Sequence, residues 1–493
     1  MDPVTISLGA RLTELAREKP DSPAVTDHQH TLTWRELDLR TNRLARALEV
    51  AGVAHGDLVS VGLRNSAGFV EACFGLWKLG ATPQPLSFRL PAAEAKAVMD
   101  LAKSPILIAE PDFIADRPRY DIAALLALSD DDSPVPDRTA PTYKAPTSGG
   151  STGRPKLILS GAAGVYTPTP GGSGGYRTSA EDTMLMPGPL YHNGPFTSAF
   201  AGLQRGAHLV LMPRFDAEQT LAAVETHRAT WMYLVPTMMS RIWRLPEAVK
   251  GRYDLSSLKQ VWHLAAPCPP WLKEAWINWL GPEVIMELYA GTEAQAVTII
   301  SGEEWLAHRG SVGRPSFGEM AAFGPEGRRL GPGETGEIYM RRPEGWPQTY
   351  RYRGAAPRTL PDDWESLGDI GWFDAEGYLY LADRRADMIL VGGSNVYPAE
   401  IEAALDEHPL VISSAVVGLP DEDLGALVHA IVQPRPGLSE AALREHLKTR
   451  LVGYKQPRSY EFVDAPLRDE AGKVRRSQLR DERISRSAGA SPE

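Results

Sequence analysis

The sequence of 493 residues contains few cysteines and no long hydrophobic run. Its two cysteines, Cys73 and Cys268, are far apart and form no CxxC pair, which argues against a disulfide framework and against a zinc site. So little cysteine fits a reducing compartment, and we predict a cytoplasmic location. No apolar run approaches the roughly 20 residues of a membrane span, and the N-terminal segment carries no secretory-signal pattern.

The chain also lacks an excess of basic residues. Its formal net charge at pH 7 is −10, whereas a nucleic-acid-binding protein normally carries a basic stripe. We therefore expect no nucleic-acid partner. The hydrophobic fraction of 43% is ordinary for a globular enzyme, and the length is sufficient for at least two domains.

Short apolar strands alternate with helical segments through most of the chain. Leu8, Leu12 and Leu15 recur at helical spacing, and the apolar strand DLVSVGL follows later. Such alternation predicts an α/β fold with parallel-rich sheets and helices packed on both faces. The segment FGPEGRRLGPGETGEIYMRR predicts a small antiparallel subdomain. We expect a large N-terminal domain, residues 1–385, and a small α+β C-terminal domain, residues 386–493.

The segment PTSGGSTGRPK, residues 146–156, combines hydroxyl side chains, glycines and a lysine. Its glycines allow several backbone N–H groups to point at one anion, and Lys156 adds a positive charge. The spacing is too long for the P-loop motif GxxxxGK[ST], and Pro155 directly precedes the lysine. The segment predicts a phosphate site, although alone it leaves a solvated glycine-rich turn open.

Five motifs, taken in order, resemble those of the adenylate-forming superfamily of acyl-CoA synthetases, adenylation domains and beetle luciferase. They are TSGGSTGRPK, ELYAGTEAQ, GDIGWFDAEGYLYLADRRADMI, GGSNVYPAEIE and GYKQPRSYEFVDAPLRDEAGKVRR. The resemblance spans nearly the whole chain, as far as Lys473. It implies that a small carboxylic acid attacks ATP to form acyl-AMP and pyrophosphate, after which a thiol, usually that of CoA, displaces AMP. It therefore implies ATP, Mg²⁺ and CoA as cofactors or co-substrates.

The resemblance implies a nucleotide site drawn from several motifs. The residues that would bind the leaving phosphates are Thr147, Ser148, Gly149, Gly150, Ser151, Thr152, Gly153 and Lys156. Tyr289 would border the adenine, and Asp369 would accept from both ribose hydroxyls. Arg384 would contact the ribose and phosphate; an ordinary surface ion pair is the alternative for Asp369 and Arg384.

The catalytic residues implied by the resemblance are Thr292, Glu293, His192 and Lys473. Thr292 would bond the α-phosphate. Glu293 would hold Mg²⁺, a hard cation that prefers carboxylate oxygen, although a helix-start carboxylate is the simpler alternative. Lys473 would reach from the small domain to the reacting carboxylate and the α-phosphate, whereas a lysine near a C-terminus is usually only solvated.

In this superfamily the small domain rotates between the two half-reactions. Rotation would exchange Lys473 for the loop GGSNVYP, in which Gly392 and Gly393 would line the tunnel for the pantetheine arm. The hinge position, commonly Asp or Lys in the superfamily, is Ala386 here. A hinge needs only to absorb a change in φ and ψ, so alanine is compatible with rotation.

The acid site shows further departures and preferences. His192 resembles the gating histidine of CoA ligases, although a structural histidine is the alternative. Asn193 and Gly194 offer no carboxylate for an ammonium, so we do not expect an α-amino acid. Ala290 replaces the usual glycine and would narrow the pocket. The pocket residues are predicted to be Phe196, Trp231, Met232, Trp262, His263 and the AAPC turn, a set that favours an aromatic or cyclic acid.

Three functions remain to be compared. The first is a stand-alone acyl- or aryl-CoA ligase, for which Arg384, Arg385, Lys455 and Arg458 could meet the CoA phosphate. The second is an adenylating enzyme that serves a separate carrier-protein thiol, or that activates another oxyanion or acceptor. The third is a nucleotide-binding protein without catalysis, which would not need Lys473. We expect a homodimer, and the sequence does not identify the acid or the pathway.

Overall fold

The computed structural model describes residues 5–113, 115–148, 155–168, 175–392, 394–421, 423–470 and 472–489. The side chains of residue 148 and residues 487–489 are also outside this description. Several expected phosphate-loop residues therefore lie outside the described part of the chain: Gly149, Gly150, Ser151, Thr152, Gly153 and the side chain of Ser148. Gly393 lies outside it as well.

The first part of the chain alternates strands and helices, as predicted. Its elements are β1 (Ile6–Ser7), α1 (Leu8–Glu18), β2 (Pro23–Thr26), β3 (Thr31–Thr33), α2 (Trp34–Val50), β4 (Leu58–Gly62), α3 (Ala67–Leu79), β5 (Thr82–Pro85), α4 (Ala92–Ala102), β6 (Leu107–Ala109), β7 (Arg119–Tyr120) and α5 (Ile122–Leu126). Helix α2 starts at a capping box, in which the Thr33 hydroxyl accepts from the Glu36 N–H and the Glu36 carboxylate accepts from the Thr33 N–H.

The middle of the chain supplies most of the largest sheet. Its elements are β8 (Thr147–Ser148), β9 (Lys156–Ser160), β10 (Val165–Tyr166), β11 (Thr183–Met186), α6 (Asn193–Arg205), β12 (His208–Leu211), α7 (Ala217–His227), β13 (Trp231–Leu234), α8 (Pro236–Trp243), α9 (Glu247–Lys250), β14 (Gln260–His263), α10 (Pro270–Leu280), β15 (Ile285–Ala290), β16 (Val297–Ser301), α11 (Gly302–Ala307) and β17 (Arg314–Phe317).

Within the described residues the largest sheet has the strand order β17-β16-β15-β14-β13-β11-β12-β2-β3. The six central strands, β2, β12, β11, β13, β14 and β15, pair in parallel. The edge strands β3, β16 and β17 pair antiparallel. A second sheet, β5-β4-β6-β7, is parallel throughout. These parallel-rich sheets with packed helices confirm the predicted α/β class.

An antiparallel subdomain follows. Its strands are β18 (Glu319–Phe323), β19 (Gly336–Arg341), β20 (Tyr350–Arg353), β21 (Arg358–Leu360), β22 (Trp364–Phe373) and β23 (Leu379–Arg384). Strands β18, β19, β22 and β21 form one sheet, to which β23 adds through β22. Strand β20 instead pairs antiparallel with β9, the strand that begins at Lys156. The antiparallel subdomain was correctly predicted, whereas the pairing of β20 with β9 was not foreseen.

The C-terminal part has its own hydrophobic core, built around Val396, Ile401, Leu405 and Val416. Its elements are β24 (Ile389–Val391), β25 (Ser394–Val396), α12 (Pro398–Asp406), β26 (Val411–Asp421), β27 (Gly425–Pro434), α13 (Glu440–Lys448), a 3₁₀ turn (Gly453–Lys455), β28 (Ser459–Phe462) and α14 (Arg476–Gly489). This separate core confirms a small α+β C-terminal domain. Among the helices described, none has the length and apolar character needed to cross a bilayer.

Candidate active site

Lys156, which follows the glycine-rich loop in the sequence, lies together with Glu293 and Tyr352. The Lys156 ammonium lies 3.6 Å from Glu293 Oε1 and 4.1 Å from the centre of the Tyr352 ring. The Tyr352 hydroxyl donates to the same Glu293 oxygen over 2.5 Å. Burial and the Glu293 charge raise the pKa of Tyr352, so its hydroxyl keeps the proton that it donates. This arrangement places a cation and a carboxylate beside the predicted phosphate site.

Tyr352 was missed by the sequence analysis, and its position follows from the pairing of β20 with β9. The register sets Tyr352 opposite Ile158, two residues after Lys156. Alternation along YRYR places Tyr350 and Tyr352 on the same face of the strand, and their ring centres are 4.7 Å apart. The alternation is visible in the sequence, but the partner strand is not, because β9 and β20 are far apart along the chain.

The turn after β15 brings Glu293 into the site. Glu293 is 4% exposed, and its backbone carbonyl accepts from the Thr349 hydroxyl over 2.7 Å. A Cβ at Gly291 would lie 2.3 Å from Leu367 Cδ1 and 2.9 Å from Glu293 Oε2, so a larger residue here would displace the ends of these two side chains. Thr292, which lies between Gly291 and Glu293 in the sequence, is half-buried. Ala290, the substituted glycine position, is the last residue of β15.

Asp369 and its neighbours form the predicted ribose side. The Tyr289 hydroxyl donates to Asp369 Oδ2 over 2.6 Å, and Arg384 Nε lies 3.3 Å from Asp369 Oδ1. Asp369 and Arg384 are direct partners in the antiparallel pairing of β22 with β23. The Asp369 charge raises the pKa of Arg384, and burial followed by the same charge raises that of Tyr289. The Tyr289 hydrogen bond and the Arg384 ion pair therefore join three predicted nucleotide residues at the Asp369 carboxylate.

Lys473 lies on a loop that packs against the large domain. The loop turns at Gly472, where φ is +75° and a Cβ would lie 3.0 Å from Thr237 Oγ1 at the start of α8. The backbone N–H of Lys473 donates to Asp469 Oδ1 over 2.9 Å, whereas its side chain bonds no described residue. Lost hydration and the Arg384 charge lower the pKa of Lys473, while the Asp469 and Glu293 charges raise it. Lys473 is thus within electrostatic reach of both nucleotide groups.

Further contacts hold the Lys473 loop against the large domain. The Tyr191 hydroxyl donates to Glu470 Oε2 over 3.3 Å, and Arg89 also pairs with Glu470. Arg475 and Glu94 approach to 3.5 Å. Each of these contacts joins a residue near Lys473 to a residue of the large domain. Lys473 is therefore held on the side of the large domain where the charges of Arg384 and Glu293 act on it.

The predicted hinge, Ala386, lies between two anchored residues. Arg385 donates its backbone N–H to Gly368 O over 2.8 Å and its guanidinium to Glu337 over 2.9 Å, which ties it to the large domain. Asp387 pairs with Arg476 of α14 over 2.8 Å, which ties it to the small domain. Gly392 has a φ of +54° and donates its N–H to Leu424 O. No contact between described residues connects Gly392 with Lys473.

His192 lies at the N-terminal end of α6, beside the Tyr191 ring. Its Nε2 is buried and has no hydrogen-bond partner within the described chain. Burial, and after it the charge of Lys473, lowers the pKa of His192 to about 3. The imidazole is therefore neutral at physiological pH. An unpartnered nitrogen this close to the Lys473 charge fits the predicted position at the acid site.

The sequence analysis did not identify Lys144, whose side chain is buried under the first turn of α6. Its ammonium donates to Asn193 Oδ1 and, over 2.6 Å, to Thr197 Oγ1. Burial lowers the pKa of Lys144 to about 7. Lys144 directly precedes the apolar residues before the glycine-rich loop, and no local sequence pattern distinguishes it from a surface lysine.

The predicted acid-pocket residues divide between two faces of the sheet. Trp231 and Tyr233 lie on one face of β13, and the Tyr176 ring contacts both Trp231 and Trp262, so Trp262 shares that face. Met232 alternates to the opposite face. The prediction that all these residues line one pocket is therefore wrong, because the strand period of two separates Met232 and His263 from the tryptophans.

His263 lies on the opposite face, beside the buried ion pair of Lys273 and Glu287. Its Nδ1 lies 3.9 Å from Glu287 Oε1, and the other Glu287 oxygen accepts from Lys273 of α10 over 2.5 Å. Phe196 is fully buried in α6 and packs against Phe200 and Trp77. Both residues serve the core in this structure, and Phe196 lies close enough to Lys144 for a cation–π contact of 6.0 Å.

The residues present suit Mg²⁺ bound together with nucleotide phosphates. Among the described residues there is no cluster of three or more His, Cys, Asp or Glu side chains that could hold a metal ion. Mg²⁺ in nucleotide enzymes is usually held by one or two carboxylates together with substrate phosphates and water. Glu293, buried and 3.6 Å from the Lys156 ammonium, supplies one such carboxylate.

Two family models match the chain. The AMP-binding enzyme model matches residues 12–350, and the AMP-binding enzyme C-terminal domain model matches residues 400–473. The chain is 32% identical over 493 residues to a feruloyl-CoA synthase of Amycolatopsis sp., covering 96% of this chain and 98% of that protein. It is 30% identical over 481 residues to the 2-succinylbenzoate–CoA ligase of Bacillus licheniformis, covering 95% and 98%.

A solved structure is similar over almost its whole length. The o-succinylbenzoate CoA synthetase of Bacillus subtilis, in complex with its acyl-adenylate intermediate, aligns with a TM-score of 0.82 and 25% sequence identity. The alignment covers 97% of this chain and 99% of that chain. The same enzyme has also been solved with ATP and a magnesium ion.

Proposed function

This chain belongs to the AMP-binding enzymes of the adenylate-forming superfamily, and we propose that its cleft performs both half-reactions of an AMP-forming acid–thiol ligase. ATP activates a carboxylic acid to acyl-AMP with release of pyrophosphate, and the CoA thiol then displaces AMP to form a thioester. The observation that supports this proposal most strongly is that residues from four distant segments come together. Lys156 lies 3.6 Å from Glu293, Arg384 lies 3.3 Å from Asp369, and the charges of Glu293 and Arg384 both act on Lys473.

The nucleotide is held by groups that are already in position. The Asp369 carboxylate accepts from the ribose hydroxyls while Tyr289 and Arg384 fix its orientation. Thr147 and Lys156 lie at the two ends of the glycine-rich loop, and Lys156 stabilises the charge that accumulates on the departing pyrophosphate. Glu293, oriented by Tyr352, would hold Mg²⁺, which would neutralise phosphate charge. Thr292 donates to the α-phosphate.

Lys473 supplies the charge at the reacting centre. Attack of the carboxylate oxygen on the α-phosphorus forms one P–O bond and breaks the bond to pyrophosphate, so negative charge builds on the phosphoryl oxygens. The Lys473 side chain bonds no described residue, so its ammonium is available to these oxygens and to the carboxylate. The neutral His192 borders the acid without adding a charge.

The second half-reaction uses a different arrangement of the domains. We place the domain boundary at Arg385 and Ala386, with residues 1–385 in the large domain and residues 386–493 in the small domain. The opposite anchoring of Arg385 and Asp387 supports Ala386 as the hinge. Rotation there would withdraw Lys473 and bring Gly392 and Gly393 to the thiol tunnel. We favour CoA over a separate carrier-protein thiol because the similar proteins reported above are CoA ligases.

We further propose a cytoplasmic location and a homodimer. Cys73 is buried, Cys268 is half-buried, and both are free thiols, as a reducing compartment would keep them. The homodimer is supported only by its frequency in the superfamily. Light scattering of the purified protein tests the dimer, and a monomer would contradict it.

The experiment that tests the function measures pyrophosphate release with MgATP across aryl, cyclic and straight-chain acids, with and without CoA. Acid-dependent release together with a thioester detected by mass would support the ligase function. Release without a CoA adduct would shift the proposal to another acceptor, such as a carrier protein. Silence across the whole panel would contradict the proposed activity.

A further inference from the structure

Glu402, a buried carboxylate on α12, joins the two ends of the Lys473 loop. It is 4% exposed and accepts hydrogen bonds from Arg468 and Arg476. Arg468 precedes Lys473 by five positions, and Arg476 follows it by three. The two half-reactions proposed above assign no role to these three charged side chains. One carboxylate of the small domain therefore holds the segment that carries Lys473 from both sides.

The two guanidinium groups bind Glu402 in different ways. Arg476 is bidentate, because its Nε donates to Oε1 over 3.1 Å and its Nη2 to Oε2 over 2.8 Å. Arg468 donates from Nη2 to Oε2 over 2.8 Å and from Nη1 to the Gly472 carbonyl over 3.2 Å. Gly472 directly precedes Lys473. Arg468 thus connects the Glu402 carboxylate to the backbone that carries Lys473.

The charge of Glu402 also compensates two positive charges that have little access to water. The side chains of Arg468 and Arg476 are 13% and 16% exposed. Burial acts to raise the pKa of Glu402, but the charges of Arg476 and Arg468 outweigh it, so the pKa lies below its usual value and the carboxylate stays ionised. The Val416 N–H donates to the same carboxylate over 2.9 Å. Without this charge the two guanidinium groups would repel each other, and the ends of the loop would move apart.

The same contacts extend to the predicted hinge. Arg476 donates from Nη1 to Asp387 Oδ2 over 2.8 Å, and Asp387 directly follows Ala386. The hinge and Lys473 are far apart along the chain, but Arg476 joins the residue after the hinge to the segment after Lys473. A rotation at the hinge places Lys473 accurately only if the parts between them are rigid, since a small displacement of a reacting group slows the reaction strongly.

We propose that Glu402 is the positioning residue for Lys473, and that by binding Arg468 and Arg476 it holds the Lys473 ammonium where acyl-AMP forms. This inference rests on the ligase function proposed above. Glu402 is buried inside the small domain, so in this role it contacts no substrate and its effect passes through Lys473. Glu402 therefore serves the formation of acyl-AMP, and it does not serve thiol attack, for which Lys473 is withdrawn.

Separate assays of the two half-reactions test this role. Glu402→Gln keeps the shape of the side chain and removes its charge. It is expected to lower acid-dependent pyrophosphate release by ~10-fold, a part of the effect of losing Lys473 itself, and to leave thioester formation from supplied acyl-AMP and CoA within ~3-fold of the parent. A purely structural role would slow both half-reactions, because the small domain takes part in both.

Glu407→Gln is the matched control. Glu407 is the C-cap residue of the same helix, and its carboxylate pairs with Arg450 instead of with Arg468 or Arg476. This variant also loses one carboxylate of the small domain, but it leaves the Glu402 contacts in place. Both half-reactions should therefore keep the parent rates, and melting temperatures show whether each variant keeps its fold.

A double-variant cycle shows whether Glu402 acts through Lys473. In the Lys473→Ala background, Glu402→Gln should lower pyrophosphate release by less than ~2-fold, because the group that it positions is gone. Arg468→Gln removes the bond to the Gly472 carbonyl and leaves Arg476 paired with Glu402. It is expected to cause a smaller loss, ~3-fold, again only in pyrophosphate release and only when Lys473 is present. Should Glu402→Gln not fold, Arg468→Gln decides the question.

The outcomes distinguish this inference from the proposed function. If the parent releases pyrophosphate and Glu402→Gln either matches it or slows both half-reactions equally, the positioning role is overturned and the ligase function stands. The role is also overturned if the losses in Glu402→Gln and Lys473→Ala multiply in the double variant. If no acid stimulates pyrophosphate release in the parent, the proposed function fails and this inference fails with it.

Discussion

The ribose side and the acid side of the cleft differ in how their polar groups are satisfied. On the ribose side, Tyr289 and Arg384 both contact the Asp369 carboxylate before any ligand is present. On the acid side, His192 Nε2 and the Lys473 side chain have no hydrogen-bond partner among the described residues. The predicted ribose side is therefore preorganised by the protein alone, whereas we expect the predicted acid side to be completed by substrate and by the small domain.

This difference has a physical reason. The ribose is the same in every cycle, so a fixed carboxylate with oriented neighbours minimises the ordering required on binding. In the proposed function the acid side would accept a substrate, stabilise transient charge and then release Lys473 as the domains rotate. A strong bond between Lys473 and a protein group would oppose each of these steps.

The first prediction tests the acid side of the comparison through Lys473. Lys473→Ala should lower acid-dependent pyrophosphate release by ~10²-fold or more, the effect of removing one oriented electrostatic donor. Thioester formation from supplied acyl-AMP and CoA should persist, because Lys473 is withdrawn in that step. The two half-reactions are measured separately. Lys448→Ala, which alters an exposed lysine paired with Glu445, is the control. Equal losses in both half-reactions would contradict the proposed role.

The second prediction tests the ribose side of the comparison through Asp369. Asp369→Ala deletes the ribose acceptor and leaves Tyr289 and Arg384 without their shared partner. The KM for ATP should rise ~10- to 100-fold, in line with the loss of charge-assisted hydrogen bonds. The KM for the acid should change much less, because Asp369 lies on the ribose side. Asp363→Asn, at an exposed aspartate that pairs with Arg342, is the control. A larger rise in the acid KM would contradict the separation of the two sides.

The third prediction concerns the metal carboxylate. Tyr352→Phe removes the hydroxyl that donates to Glu293 Oε1 and keeps the ring beneath Lys156. Glu293 then loses the group that orients it, so the Mg²⁺ concentration for half-maximal pyrophosphate release should rise ~3- to 10-fold. Tyr350→Phe, which alters a neighbouring hydroxyl bonded to Glu365, is the control. An unchanged Mg²⁺ requirement in Tyr352→Phe would show that the hydroxyl does not position Glu293.

The sequence predicted the preorganised side better than the completed side. Alternating strands and helices gave the α/β class, and the motifs located Tyr289, Glu293, Asp369 and Arg384, which the structure brings into two connected groups. Each lies in or directly beside a strand whose pattern is local. Such residues can be predicted because short segments carry both the fold signal and the motif.

The residues that the sequence analysis missed depend on long-range pairing. Tyr352 reaches Glu293 only because β20 pairs with β9, and Lys144 reaches Asn193 across 49 positions of sequence. The error at Met232 and His263 has a different cause. Their composition suited an apolar pocket, but strand alternation turns them to the face opposite Trp231 and Trp262. Composition alone does not say which face of a buried strand meets the ligand.

The smallest expected effect is the pH dependence that His192, on the acid side, gives to the stability of the fold. Burial lowers the pKa of His192 from 6.5 to about 3 in the folded protein. Between these values the unfolded chain binds a proton that the folded chain does not, so this contribution to stability falls as pH decreases below 6.5. The variant His192→Asn should lack this pH-dependent contribution to stability. Relative to the variant, the parent should lose about 1 to 2 kcal/mol of unfolding free energy between pH 7.5 and pH 5.

The measurement compares melting temperatures of parent and His192→Asn across this pH range. His208 and His263 also have pKa values lowered to about 4 by burial, but both remain in the variant and cancel in the difference. A constant difference between parent and variant would mean that His192 titrates normally and is solvated. A difference that narrows or reverses on acidification would show that the imidazole is kept neutral and without a partner, so that the acid side awaits its substrate.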